Sequence, residues 1–230
     1  MLVNVGKLMS HTSTKGGGGV KHPFNPSLVD AWFMSGLSDN NKPSSIRGVK
    51  GNEIVLRNFA FTSESGFGEG AYEGALVFDG VDDYGICTGL PILDDYTLIC
   101  KREIINKETG SVASKRTSSS QWDGAFIFER NNQLTSFGQN NYRTIQQNNV
   151  SYMTTTSYNG NTISRGSLQD TEYLFLGADG FNIDLNRAHG FSNCAIYYFA
   201  LYNKSLTPEE VEEEKVKLEN YWEGGKNELA

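Results

Sequence analysis

The stretch richest in groups that could hold a ligand is residues 177–193, G-A-D-G-F-N-I-D-L-N-R-A-H-G-F-S-N. Asp179, Asn182, Asp184 and Asn186 recur along it, with Phe181 and Phe191 as aromatic faces. A pyranose ring has an apolar face and a rim of hydroxyls, so this mixture suits a sugar. The run is long for a hairpin loop, and long loops often carry sites. A rim loop packed on a sister subunit would have the same composition, and both readings stand. Trp122, beside Asp123-Gly124, offers another stacking face or a core side chain. A second chemistry is cation binding. Asp79, Asp82 and Asp83 crowd one turn and Asp94-Asp95 another. Hard cations take several such oxygens, while isolated turn carboxylates are simply solvated. Calcium is the one cofactor the residues admit; otherwise none is expected.

Arrangements for catalysis are missing from the sequence. Two glutamates flanking an aspartate on one strand, E-x-D-x-x-E, would set carboxyls about 5 Å apart across a glycosidic bond. No glutamate here has an aspartate two residues on. There is no G-x-S-x-G elbow, and residues 16–19, four glycines, lack the G-K-[ST] that completes a phosphate loop. The chain is expected not to be an enzyme. A glycoside hydrolase with a differently spaced carboxylate pair is the remaining catalytic alternative.

The positioning elements read as follows. The 230 residues suffice for one large domain. The net charge of −7 excludes the basic stripe of a nucleic-acid binder. Eight Glu and three Lys after residue 207 place −5 in the tail and leave −2 elsewhere, a surface suited to neutral polymers such as glycans or to proteins. No apolar run approaches the ~20 residues of a membrane span. Cys87, Cys100 and Cys194 are odd in number, without a C-x-x-C pair, and read as small buried hydrophobes. The first residues lack the apolar core of a secretory signal, so synthesis in a cytoplasm is expected.

Residues 1–27 read as a Gly-rich anchoring arm, 28–223 as the domain and 224–230 as a tail. Short alternating strands fill the domain. Residues 74–87 read as a hairpin, with Leu76 and Phe78 on one face, Val77 on the other and Asp82-Asp83 in a wet turn. Asn131-Asn132 and Asn159-Gly160 predict tight turns. Residues 96–103 predict a strand that turns polar at its end, and 194–202 a long apolar central strand. Thr207, Pro208 and Glu210 predict a capped helix start, Val211, Leu218 and Trp222 its apolar stripe, and Gly224-Gly225 its end. The fold class is all-β: two antiparallel sheets face to face, one short C-terminal helix and an extended N-terminal arm.

The segments L-V-D-A-W (28–32), G-A-L-V-F-D-G-V-D-D-Y (74–84), S-V-A-S-K (111–115), G-A-F-I-F-E (124–129), Y-N-G (158–160), Y-L-F-L-G (173–177) and A-L-Y-N-K-S-L-T-P-E-E-V (200–211) occur in the order seen in laminin-G-like domains. The chain resembles that family over residues 28–222, which implies a concanavalin A-like jelly roll. Family members often carry an acidic pair in the last long strand; Tyr197-Tyr198 stand there here, so a calcium or ligand role of that pair is not carried over. In architecture, a lectin-like module behind a Gly-rich arm is similar to bacteriophage fibre and capsid decoration proteins, notably of gut phages infecting Bacteroidota. That similarity implies a non-catalytic attachment protein of the virion. Its arm, residues 1–27, would bind other virion proteins, the assembly would be a homo-oligomer with a trimer as first guess, and host or mucus glycans would be ligands. A soluble carbohydrate-binding lectin is the alternative.

Overall fold

A computed structural model describes residues 23–106, 110–116, 124–144, 149–167, 169–180 and 188–226. The strands are β1 Leu28–Phe33, β2 Ser45–Arg47, β3 Glu53–Arg57, β4 Gly66–Phe67, β5 Leu76–Asp79, β6 Tyr84–Cys87, β7 Thr97–Asn106, β8 Ala113–Lys115 and β9 Phe126–Arg130. They continue as β10 Gln133–Ser136, β11 Gln139–Tyr142, β12 Asn149–Thr154, β13 Ser157–Tyr158, β14 Asn161–Thr162, β15 Leu174–Leu176, β16 Asp179–Gly180, β17 Ala188–His189 and β18 Asn193–Tyr202. One helix, α1, spans Pro208–Lys226.

One sheet runs β14-β13-β12-β7-β18-β5-β4, with β1 also on β18; the other runs β11-β10-β9-β8-β15-β6-β3-β2. All described pairings are antiparallel. β18 is central, as its apolar run predicts. It pairs β7 along one edge and takes β5 and β1 end to end along the other. The inner faces meet through Trp32, Phe78, Leu98, Phe126, Phe128, Leu176 and Phe199. The three cysteines are buried and free thiols, as expected of small hydrophobes.

Residues 74–87 are not a hairpin. β5 belongs to the first sheet and β6 to the second. Leu76 and Phe78 do face the core, and Val77 packs with Ala75 and Ala195 on the outer side. Alternation decides which face a side chain takes; the partner strand is decided by β18 and β4 on one side and β3 and β15 on the other. The four residues 80–83 are long enough to step across the ~10 Å between packed sheets.

The outer face of the first sheet is covered by α1. Its start is a reciprocal capping box: Thr207 N–H donates to Glu210 at 2.9 Å, and Glu210 N–H donates to the Thr207 hydroxyl at 3.2 Å. Val211, Leu218 and Trp222 are buried on Ile99, Tyr198, Ala200 and Tyr202. The helix runs through Gly224-Gly225 instead of stopping there. A Cβ at Gly225 would stand 2.6 Å from Ser35 Oγ, so the glycine permits the last turn to seat on the 35–36 bend. Of the predicted arm, residues 23–27 join this face. Phe24 packs on Phe33 and Tyr221, and Asn25 N–H donates to Glu214 at 3.0 Å. Residues 1–22 lie outside the described residues, as do 227–230 of the predicted tail. No helix among the described residues is long and apolar enough to cross a membrane.

Asp95 is a structural knot rather than a solvated turn carboxylate. Its oxygens accept from Tyr96 N–H at 3.0 Å, Ser205 N–H at 2.8 Å, the Ser205 hydroxyl at 2.5 Å and the Thr155 hydroxyl. Burial alone would raise its carboxyl; the donors from Ser205, Thr155 and Tyr96 outweigh that and hold it below the ordinary value. A depressed carboxylate stabilises above its unfolded pKa and loses that contribution as pH falls through the folded value. Asp95→Asn is therefore expected to melt below the parent at neutral pH, with the gap closing below about pH 4. Thermal melts across that range check it; a gap that persists unchanged in acid contradicts the assignment.

Candidate functional site

The end of β8 meets the β16–β17 pair on the outer face of the second sheet. After β15 the chain turns at Gly177, whose φ is +72° and where a Cβ would stand 2.0 Å from the Phe78 ring. β16 then lies against the sheet. The Ser114 hydroxyl donates to the Ala178 carbonyl at 3.2 Å and accepts from Gly180 N–H at 3.1 Å. β17 returns beside it, pairing Asp179 with His189.

Asp179 is fully buried. Its Oδ1 accepts from Arg116 Nη1 at 2.6 Å, its Oδ2 from Arg130 Nη1 at 2.6 Å, and His189 Nδ1 stands 3.8 Å from Oδ2. Arg116 directly precedes residues 117–123, and Asp179 precedes 181–187. One charge-assisted hydrogen bond thus ties the residue before 117 to the strand before 181. The Arg130 side chain is 27% exposed and that of His189 42% exposed, so this end offers a guanidinium and an imidazole to solvent.

Arg130 reaches the outer face because of a bulge. Gln133 pairs Arg130 and Thr135 pairs Ile127, which leaves one extra residue on β9. Glu129 takes the left-handed region, φ +55°. Phe128 and Glu129 therefore both point inward and Arg130 points out. Inside, Glu129 accepts from Arg102 Nε at 2.6 Å and Nη2 at 2.8 Å, and from the Tyr158 hydroxyl at 2.8 Å. This buried fork joins β7 of one sheet to β9 of the other.

Of the residues singled out in sequence, Asp179 is placed here, with both oxygens engaged by arginines. Phe181, Asn182, Asp184, Asn186 and Trp122 lie outside the described residues. Phe191 packs on Tyr84, ring centroids 6.3 Å apart, among residues covering the outer face. Arg116, Arg130 and His189 were not marked out by any motif. The one signal in the sequence is F-E-R, where strict alternation would send the glutamate out and the arginine in.

Asp79, Asp82 and Asp83 form a second cluster, at the step between the sheets. Each offers a carboxylate oxygen, all within 4.8 Å of one another. Asp79 Oδ1 accepts from the N–H groups of Val81 at 2.7 Å and Asp82 at 3.3 Å, and Asp83 Oδ2 from Asp79 N–H at 3.1 Å. Burial first, then the charges of Asp79 and Asp82, raise the Asp83 carboxyl to about 6 against hydrogen bonds from Ser65 and the Asp79 N–H.

No protein-family model matches the chain, and no curated protein matches it in sequence. Solved structures do share its fold. A Trypanosoma rangeli sialidase in complex with sialic acid superposes with TM-score 0.52 and 14% identity, over 82% of this chain and 32% of that one. The same sialidase in complex with 2,3-difluoro-KDN gives TM-score 0.53 and 16% identity over 86% and 33%. The binding domain of botulinum neurotoxin serotype D/C gives TM-score 0.51 and 12% identity over 84% and 52%. The fold is an all-β sandwich. The chain spans about a third of the sialidase chains and half of the neurotoxin domain, so the likeness extends to the sandwich and not to those proteins as wholes.

Proposed function

We propose that the chain is a non-catalytic carbohydrate-binding β-sandwich, with its ligand end where Asp179 ties Arg116, after β8, to Arg130 at the end of β9. Arg130 and His189 direct that end toward sugars bearing a carboxylate. The observation that carries the reading is the Arg116–Asp179–Arg130 arrangement, in which one buried carboxylate lies between two guanidinium groups. Among the described groups here, two guanidinium groups face one carboxylate, on a chain of net charge −7. Guanidinium groups match carboxylates in geometry as well as charge. By residue type, Phe181 and Trp122 are the candidate stacking faces, and Asn182, Asp184 and Asn186 the candidate hydrogen-bonding groups, for such a sugar. One sialidase that shares this sandwich over 32% of its length was solved with sialic acid, itself a carboxylate sugar.

The finer reading is an attachment part of a phage particle, held to other virion proteins through residues 1–27. Its support is placement. Residues 23–27 enter on the helix-covered face of one sheet, while Arg130 and His189 lie on the outer side of the other. Anchor and ligand end would then stand back to back.

A glycan array probed with the full chain tests the binding reading. Saturable binding to carboxylate-bearing glycans is expected, weakened about tenfold or more by His189→Ala or Arg130→Ala with the chain still folded. Absence of binding, or binding indifferent to both substitutions, rejects it. Removing residues 1–22 is expected to abolish incorporation into particles while the sandwich stays folded; normal incorporation rejects the anchor.

A further inference from the structure

We infer that the turn joining the two sheets is a calcium site, with Asp79, Asp82 and Asp83 as its protein ligands. The cluster alone would not carry this. The second observation is Asp83 itself: the residue is fully buried, its Oδ2 takes the Asp79 N–H, and its Oδ1 closes no hydrogen bond of good geometry, the Ser65 hydroxyl lowering the carboxyl without satisfying that oxygen. Buried polar atoms are almost always satisfied, because stripping water from one without replacement costs free energy. An orphaned carboxylate oxygen beside two further carboxylates is the arrangement a cation completes. No lysine or arginine forms an ion pair with any of the three, among the described residues.

The geometry fits the ion's size. Oxygens sharing one calcium at 2.3–2.6 Å stand at most about 5 Å apart, and the three offered here lie within 4.8 Å of one another. The turn's own hydrogen bonds use Asp79 Oδ1 and Asp83 Oδ2. They set the backbone while Asp79 Oδ2, Asp83 Oδ1 and the exposed Asp82 carboxylate remain for the ion. Calcium accepts six to eight oxygens in irregular geometry, whereas magnesium demands an octahedron and sheds water reluctantly. Three carboxylates on a short turn, with water filling the other positions, match calcium. So few protein ligands place the affinity with weak extracellular-type modules, Kd on the order of 10⁻⁴–10⁻³ M.

The placement gives the ion a structural task. Asp79 pairs Asn193 across β5 and β18, and the Asn193 side chain donates to the Phe78 carbonyl at 3.0 Å. Tyr84, the residue after Asp83, packs on Phe191. Calcium would pin the crossing between the sheets where three like charges now meet.

The test is calorimetric titration of the metal-stripped full chain with calcium alone, alongside melts at matched ionic strength. One site and a melting temperature that rises with calcium are expected. Asp82→Asn, at an exposed position, should weaken binding about tenfold or more and raise the calcium-free melt only slightly, since it removes one of three like charges from a solvated site. Asp83→Asn should abolish the calcium response while raising the calcium-free melt, because it removes a buried charge. No heat and no shift at about 10 mM calcium, an equal response to magnesium, or full affinity in Asp82→Asn would each overturn the site. None of these outcomes depends on whether the chain binds sugar.

Discussion

Glu129→Ala is expected to lower the unfolding free energy by about 3–5 kcal/mol, the usual cost of removing one partner of a buried ion pair. Arg102 and Glu129 are both fully buried, and their two hydrogen bonds of 2.6 and 2.8 Å form a fork across the sandwich. The alanine leaves a guanidinium in the core without the carboxylate that faces it, and the Tyr158 hydroxyl without its acceptor. It also leaves a bulge whose left-handed residue no longer gains anything from that conformation. The measurement is the denaturant midpoint at constant slope, which separates stability from a change in compactness. Replacing both partners, Arg102→Met with Glu129→Leu, should recover most of the loss, since an apolar pair carries no desolvation penalty. A loss under about 1.5 kcal/mol for the single variant would mean that water already reaches the pair.

Asp179→Ala should be nearly as costly, about 3 kcal/mol, and more damaging to the ligand end. It takes the shared carboxylate from Arg116, which is buried, and from Arg130, which is partly solvated and loses less. The distinctive consequence is local. With the stems of 117–123 and 181–187 no longer tied, backbone amides of Phe126 and of Gly180, Ala188 and Ser192 should exchange hydrogen faster than those of β7 and β18. Asp179→Asn, which keeps the shape but not the charge, should fall between the two. A variant that melts like the parent and exchanges uniformly would show that Asp179 ties nothing together.

The parts of this fold legible in the sequence are those set by neighbours along the chain. Thr207 and Glu210 cap each other across one helical turn. Asn131-Asn132 and Asn159-Gly160 have the positive φ that tight turns require. Residues 194–202 are apolar because they lie at the centre of a sheet. What was not legible depends on distant partners. The step at residues 80–83 looks like a hairpin until β18 and β3 claim opposite sides of it. The polar end of β7 reads as emerging into water, yet Arg102 turns inward because Glu129 waits there. No propensity predicts a glutamate at φ +55°; the buried arginine selects it. For the candidate site, composition pointed to the loop at 177–193, while the arginines that hold its stem come from β9 and the end of β8 and carry no motif.

The position of β18 also governs the order in which the molecule can be made. β1, β5 and β7 are complete long before residues 193–202 leave the ribosome, but each takes its edge from that strand. During translation the first sheet has edges and no middle, while β8, β9 and β10 can already pair with one another. Contacts this distant in sequence close slowly. The nascent chain must therefore keep Leu76, Phe78, Leu98 and Trp32 from the wrong neighbours until its last strand arrives, a demand for chaperoning that falls on the N-terminal two thirds of the polypeptide.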